Sequence, residues 1–171
     1  MTNWVTQLQE SIPEFAKDIK LNLDAVINRS EIDPEYALHI AIASAFATGN
    51  SKLLAFLVAN SNDELEKNAA LGAGAVMAQN NVWYPYSRKS HNEEFRQVNG
   101  QLRMNIIGTH GGTTKAKFES YALAASIIGK CDYCVSGHFD LLKNEGYTNE
   151  QLRDIGRIAA TINALAKILN A

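Results

Sequence analysis

Apolar residues along this chain recur every third or fourth position, the period of a helix that buries one face. Val5, Leu8, Ile12 and Phe15 set this rhythm ahead of Ala16-Lys17-Asp18. Asp33-Pro34 reads as an N-cap followed by proline at the first helical position, where the missing N–H does no harm. It opens a helix over 34–47 that stops near Gly49-Asn50, and a short apolar helix follows over 51–59. Ser61-Asn62-Asp63-Glu64 has the spacing of a capping box, in which hydroxyl and carboxylate satisfy orphan backbone N–H groups. The helix it predicts, over 65–80, carries Ala69, Ala70, Gly72, Ala73, Gly74 and Ala75. Glycine costs a helix about 1 kcal/mol against alanine, so this row of small residues points to a neighbouring helix at close approach.

From 83 to 112 the rhythm weakens, punctuated by Pro85, Gly100, Gly108, Gly111 and Gly112. Only Leu102-Arg103-Met104-Asn105-Ile106-Ile107 could form a short strand or buried extended piece. Helical patterning returns over 115–128, with Gly129 as a left-handed C-cap. A further helix runs from near Cys131 to near Gly146, and Thr148-Asn149-Glu150-Gln151 is a second capping-box spacing that opens a last helix to 169. Each half thus has a small-residue helix, a glycine, a short helix, a capping box and an alanine-rich helix. Either a helical unit has been duplicated, or alanine-rich helices resemble one another by composition. The expectation is an all-α helical bundle, one domain over 1–171, with an internal two-fold repeat.

Composition narrows the function. A chain of 171 residues with 46% apolar and 20% charged residues supports one substantial core. A formal net charge of −2 provides no basic footprint for nucleic acid or anionic lipid. Met1-Thr2-Asn3-Trp4 leads into polar residues, and no run reaches the roughly 20 apolar residues of a membrane span. A cytoplasmic protein with neither a nucleic-acid nor a membrane partner is expected. In a reducing compartment structural disulfides are rare. The only two cysteines, three positions apart, therefore point to catalysis, redox sensing or metal binding.

Those cysteines form Cys131-Asp132-Tyr133-Cys134, with His138 one helical turn beyond Cys134 and so on its face. A thiolate, with a reference pKa of about 8.5, is stabilised by a helix N-terminus or a neighbouring imidazolium. Cys131 gains from the first and Cys134 from the second. Counted from Lys130, Glu119 lies eleven residues back and His138 eight forward. At about 1.5 Å per residue, an antiparallel helical hairpin sets the two less than one turn apart. Glu119, His138 and Cys134 then form a proton relay, direct or through water, in which the carboxylate orients the imidazole and the imidazole takes the thiol proton. The competing reading is zinc, for which C-x-x-C plus histidine gives three ligands and Glu119 or water would have to give the fourth. Haem attachment needs histidine where Val135 stands. A thioredoxin fold needs strands around the motif and a later cis-proline, whereas Pro13, Pro34 and Pro85 all precede it. Tyr133 is read as a packing aromatic, His39, His91 and His110 as structural or exposed, and Trp83-Tyr84-Pro85-Tyr86 as core or subunit interface.

Glu119, eleven intervening residues, the C-x-x-C, three more and His138 together resemble the signature of the alkyl hydroperoxidase D (AhpD) family, in the carboxymuconolactone decarboxylase-like superfamily. Residues 13–23, 102–107 and 115–119 are similar to that family's opening and central segments, so the resemblance covers nearly the whole chain. It implies an all-helical fold with an internal repeat, assembled into homo-oligomers, commonly trimers. It also implies an antioxidant disulfide reductase that regenerates an AhpC-type peroxiredoxin with electrons from the lipoyl group of a 2-oxo-acid dehydrogenase component. Weak peroxidase activity and no tightly bound cofactor complete the picture. By motif position, Cys134 attacks peroxide, Cys131 closes the disulfide, and Glu119 with His138 relays protons. On this division Cys131 is expected nearer the surface, exchanging with the lipoyl dithiol. Some members carry histidine where this chain has Tyr133, and a phenol with pKa near ~10 is a poor base at neutral pH. Decarboxylase chemistry within the same superfamily is the remaining alternative, although it would leave the dithiol without a task.

Overall fold

A central helix that is apolar on every side must be covered on every side. Two such helices organise this chain: α3 (Pro34–Thr48), buried from Ala37 to Ala45, and α8 (Lys115–Gly129), buried from Phe118 to Ser126. The computed structural model describes residues 3–170; Met1, Thr2 and Ala171, with the part of the N-terminal reading and the domain ends that fall on them, lie outside the described residues. Around the two central helices pack α1 (Asn3–Glu10), α2 (Lys17–Asn28), α4 (Ser51–Ala59), α5 (Glu64–Lys89), α9 (Asp132–Asn144) and α10 (Asn149–Ile168). Two short helices, α6 (Glu93–Arg96) and α7 (Asn105–Thr109), and single 3₁₀ turns at Glu14–Ala16 and His110–Gly112 fill the connections. Among the described residues there is no strand, and the architecture is all-α. None of their helices is long and apolar enough to cross a membrane.

The duplicated unit is present in the caps as well as in the pattern. Both α3 and α8 end on a left-handed residue, Gly49 and Lys130. Each is followed at once by a helix whose N-cap side chain accepts from the amide three residues on, Asn50 from Leu53 and Cys131 from Cys134. Setting Asn50 on Cys131 places Pro34 on Lys115, Leu38 on Glu119, Leu53 on Cys134 and Leu57 on His138. The first unit therefore holds apolar side chains where the second holds its chemistry.

Several local expectations change. The first helix stops at Glu10 and the chain restarts through Pro13 and a 3₁₀ turn, leaving Phe15 80% exposed. The cap of α5 is Asp63, whose carboxylate accepts from the Glu66 amide, and the Ser61 hydroxyl pairs instead with His39 Nε2 at 2.9 Å. Far from ending near Asn80, α5 continues through Pro85 to Lys89. Packing of Trp83 and Tyr86 on Phe95 of α6, with ring centroids 6.4 and 5.7 Å apart, offsets the hydrogen bond that proline cannot make. Residues 102–107 do not form a strand, having no neighbour to pair with; they lead instead into α7, whose Ile106 and Ile107 pack on the core. The left-handed C-cap of α8 is Lys130 and not Gly129, since Gly129 is still helical where the Asn81 side chain crosses it and a Cβ would collide. The small-residue row behaves as expected: a Cβ on Gly74 would meet Phe46 of α3 at 3.0 Å. The Thr148 capping box forms with Gln151.

Candidate active site

The turn at Lys130 reverses the chain and makes Cys131 the first residue past α8, held there by its amide donating to Ser126 O at 3.3 Å. As N-cap of α9, Cys131 turns its sulfur under the first helical turn, where the Cys134 amide donates to Sγ at 3.2 Å. One turn along, Cys134 closes a disulfide with it, the Cα atoms 5.2 Å apart. Cys131 is 0% exposed and Cys134 6%, the reverse of the expectation that Cys131 lies nearer the surface. Capping the helix draws Cys131 inward and leaves the sulfur of Cys134 facing a cavity.

That cavity has a volume of about 210 Å³. Beside Cys134 it is lined by Gly137, His138 and Leu141 of α9, Met77, Asn80 and Tyr84 of α5, Ile107 of α7, and Tyr133. The hairpin of α8 and α9 brings Glu119 and His138 together: Glu119, buried on α8, takes His138 Nδ1 at 2.5 Å on Oε2. The other ring nitrogen, Nε2, has Met77 Sδ as its partner at 3.2 Å rather than Cys134. Cys134 Sγ lies 3.9 Å from the Asn80 carbonyl, an acceptor for the thiol once the disulfide is reduced.

Half-exposed Tyr133 stands at the cavity rim, its ring 5.2 Å from that of Tyr84 and under the Arg88 guanidinium at 4.1 Å. A second polar knot braces α5 against α8 on either side of Glu119. Buried Glu66 accepts from Tyr121 OH at 2.6 Å, Lys117 Nζ at 2.8 Å and Thr113 Oγ1 at 2.7 Å. Burial alone would raise the Glu66 pKa, but these three donors outweigh it and hold the carboxyl below its ordinary value. Its own burial, and then the same carboxylate, push the Tyr121 phenol far up. His39 is buried on Ser61 with its pKa lowered by desolvation, a structural role.

Comparison with known proteins gives the family. Residues 93–171, which contain the cysteines, Glu119 and His138, match the Carboxymuconolactone decarboxylase family. Over 98% of its length the chain is 36% identical to the alkyl hydroperoxide reductase AhpD of Rhodospirillum centenum, covering 91% of that protein. It is 38% identical over 98% of its length to the AhpD of Maricaulis maris, covering 98% of it, and 38% over 98% to that of Mycolicibacterium paratuberculosis, covering 94%. The chain belongs to the AhpD family. Met77, Asn80 and Tyr84 of the cavity all come from α5, ahead of the matched segment; sequence reasoning missed Met77 and Asn80, and it read Tyr84 as core or subunit interface. For Met77 and Asn80 the only sequence signal was the small-residue row, which announced that α5 lies close to a neighbour without saying which of its later side chains face the cysteines. Among the described residues, no cluster of three or more His, Cys, Asp or Glu is arranged to hold a metal ion.

Proposed function

We propose that this chain is an antioxidant alkyl hydroperoxide reductase that works through Cys131 and Cys134, with Glu119 and His138 managing the protons. One observation carries the reading: a disulfide presents the Cys134 sulfur to an apolar-walled cavity in which a carboxylate-held imidazole also stands. Reduction begins when a donor thiolate attacks Cys134 Sγ, the accessible sulfur, and breaks the disulfide. Cys131 leaves as a thiolate stabilised by the N-terminus of α9. The second donor thiol then releases Cys134, and the donor departs as its own disulfide. In the oxidative half, the Cys134 thiolate attacks the terminal oxygen of a hydroperoxide, the O–O bond breaks, and the alkoxide leaves as alcohol with a proton from His138. That proton is needed at the departing oxygen, which lies in the cavity with the imidazole, so no direct His138–Cys134 bond is required. The Cys131 thiolate then attacks the sulfur of the Cys134 sulfenic acid, the S–O bond breaks, the hydroxide leaves as water with a proton that His138 has regained from solvent, and the disulfide is restored.

The donor we infer is the lipoyl dithiol of a 2-oxo-acid dehydrogenase component, and the partner acceptor an AhpC-type peroxiredoxin whose disulfide takes the place of peroxide at Cys134. Residues 1–171 form one domain on this reading, in a cytoplasmic homo-oligomer of three or more chains. Exposed Val82, Tyr86 and Val98 supply uncovered apolar surface for subunit contact. Sedimentation equilibrium returning a single chain mass would remove the oligomer from the account. The chemistry is tested by adding cumene hydroperoxide to the reduced protein. The chain should lose two hydrogens in mass and release one alcohol per disulfide formed, whereas two thiols surviving excess peroxide would defeat the reading.

A further inference from the structure

We propose that Met77 is a second peroxide-reactive group in this cavity: its thioether takes an oxygen atom from a bound hydroperoxide, and the sulfoxide formed there disconnects His138. The inference rests on the cavity being the hydroperoxide site, as argued above. Met77 is 1% exposed, and it lines the same cavity as Cys134. Its sulfur is 3.2 Å from His138 Nε2. A thioether has no hydrogen to give, so this contact is a hydrogen bond only when Nε2 carries the proton and sulfur accepts it. With Glu119 on Nδ1, both ring nitrogens face acceptors, and a proton donor is held beside a nucleophilic sulfur. Thiolate oxidation needs the same pairing.

The step balances. A sulfur lone pair attacks the terminal oxygen of the hydroperoxide, the S–O bond forms and the O–O bond breaks. The alkoxide takes the Nε2 proton and leaves as alcohol. The hydroxyl proton on the new S–O group returns to Nε2, leaving methionine sulfoxide. Methionine loses two electrons and the hydroperoxide gains them. While Cys134 is a thiolate it consumes hydroperoxide first. Once donor is exhausted and the disulfide persists, the next hydroperoxide in the cavity meets only Met77. A sulfoxide is polar and a far better acceptor than a thioether, and enzymatic reduction reverses it. It would hold the Nε2 proton and fill apolar space, halting turnover until reduced.

Met104 is the internal reference. It is half-buried, more accessible than Met77, lines a neighbouring cavity, and among the described residues no imidazole is hydrogen-bonded to it. General-acid assistance is worth roughly 10²–10⁴-fold. In the disulfide form treated with cumene hydroperoxide without reductant, peptide mass spectrometry should find one added oxygen at Met77 at least ~10-fold sooner than at Met104. His138→Gln, folded by circular dichroism, should abolish that lead. Oxidation of Met104 first, or an unchanged lead in folded His138→Gln, overturns the proposal; if that variant does not fold, the order in the unaltered protein decides alone. The same hydroperoxide is offered to the reduced form in parallel. Thiols consumed in the reduced form, with Met77 left intact in the disulfide form, defeat only this inference, while inert thiols in the reduced form defeat the reading of the site on which it rests.

Discussion

Cys131 and Cys134 are separated by one turn of helix and by what that turn does to each sulfur. Capping α9 sets the Cys131 sulfur against the first-turn amides, an arrangement that favours a leaving thiolate, yet it also buries that residue completely. On the proposed mechanism, attack by and on external partners therefore converges on Cys134. Cys131→Ser should keep a peroxide-induced sulfenic acid that dimedone traps at Cys134. Cys134→Ser should give neither sulfenic acid nor rapid mixed disulfide with a dithiol donor, and efficient trapping of donor by Cys131 in that variant would return the exchange role to it. The proton relay is a residue-scale matter too. Glu119→Ala and His138→Ala should each slow hydroperoxide reduction by roughly 10²-fold or more, and the double variant should be little worse than either. Rate losses that simply multiply would show two independent groups. Glu119 and His138 were legible from the sequence because a single helical hairpin joins them, and hairpin geometry follows from counting residues on both sides of the break. Met77 was not, because it reaches His138 only through the packing of α5, which no local spacing encodes.

At the scale of elements, long-range polar ties hold the two repeated units together. Asp154 of α10 is fully buried, accepts from the Glu31 amide at 2.8 Å, and pairs with Arg153 and Arg157 at 2.9 and 2.8 Å. Burial would raise its pKa, but these donors prevail and hold it down to about 2 from an ordinary 3.8. A carboxyl depressed on folding stabilises fully above its unfolded pKa and loses that contribution as pH falls through the folded value. At about 1.4 kcal/mol per pKa unit the contribution is about 2 kcal/mol at neutral pH. Asp154→Asn should cost about that much in urea unfolding at pH 7, with the difference from the unaltered protein closing between about pH 4 and pH 2. A gap that stayed constant down to pH 2 would assign the effect to packing instead. The helices around the core were readable because periodicity and caps agree in them, as at Asp33-Pro34 and Thr148-Gln151. The segment from Trp83 to Gly112 was not. There, aromatic contacts across α5 and α6 and the docking of Ile106 and Ile107 decide the structure against local signals from Pro85 and the glycines.

For the molecule as a whole, Cys131, Cys134, Glu119 and His138, to which the proposed mechanism assigns the chemistry, all lie in the second half of the chain. Leu38, Leu53 and Leu57 occupy in the first unit the places of Glu119, Cys134 and His138 in the second, so the matching positions of the first unit are apolar. The long α5, which completes the first unit, crosses over to wall the active cavity with Met77, Asn80 and Tyr84. On the proposed mechanism each hydroperoxide reduced at the dithiol leaves a disulfide, which an outside dithiol must open before the next. The measurement that tests this most directly is NADH oxidation reconstituted with lipoamide dehydrogenase, a lipoylated 2-oxo-acid dehydrogenase component, this chain, an AhpC-type peroxiredoxin and cumene hydroperoxide. The account predicts hydroperoxide-dependent NADH loss that requires this chain and vanishes with Cys134→Ser. NADH oxidation no faster with the chain than without it, or undiminished in Cys134→Ser, would contradict it.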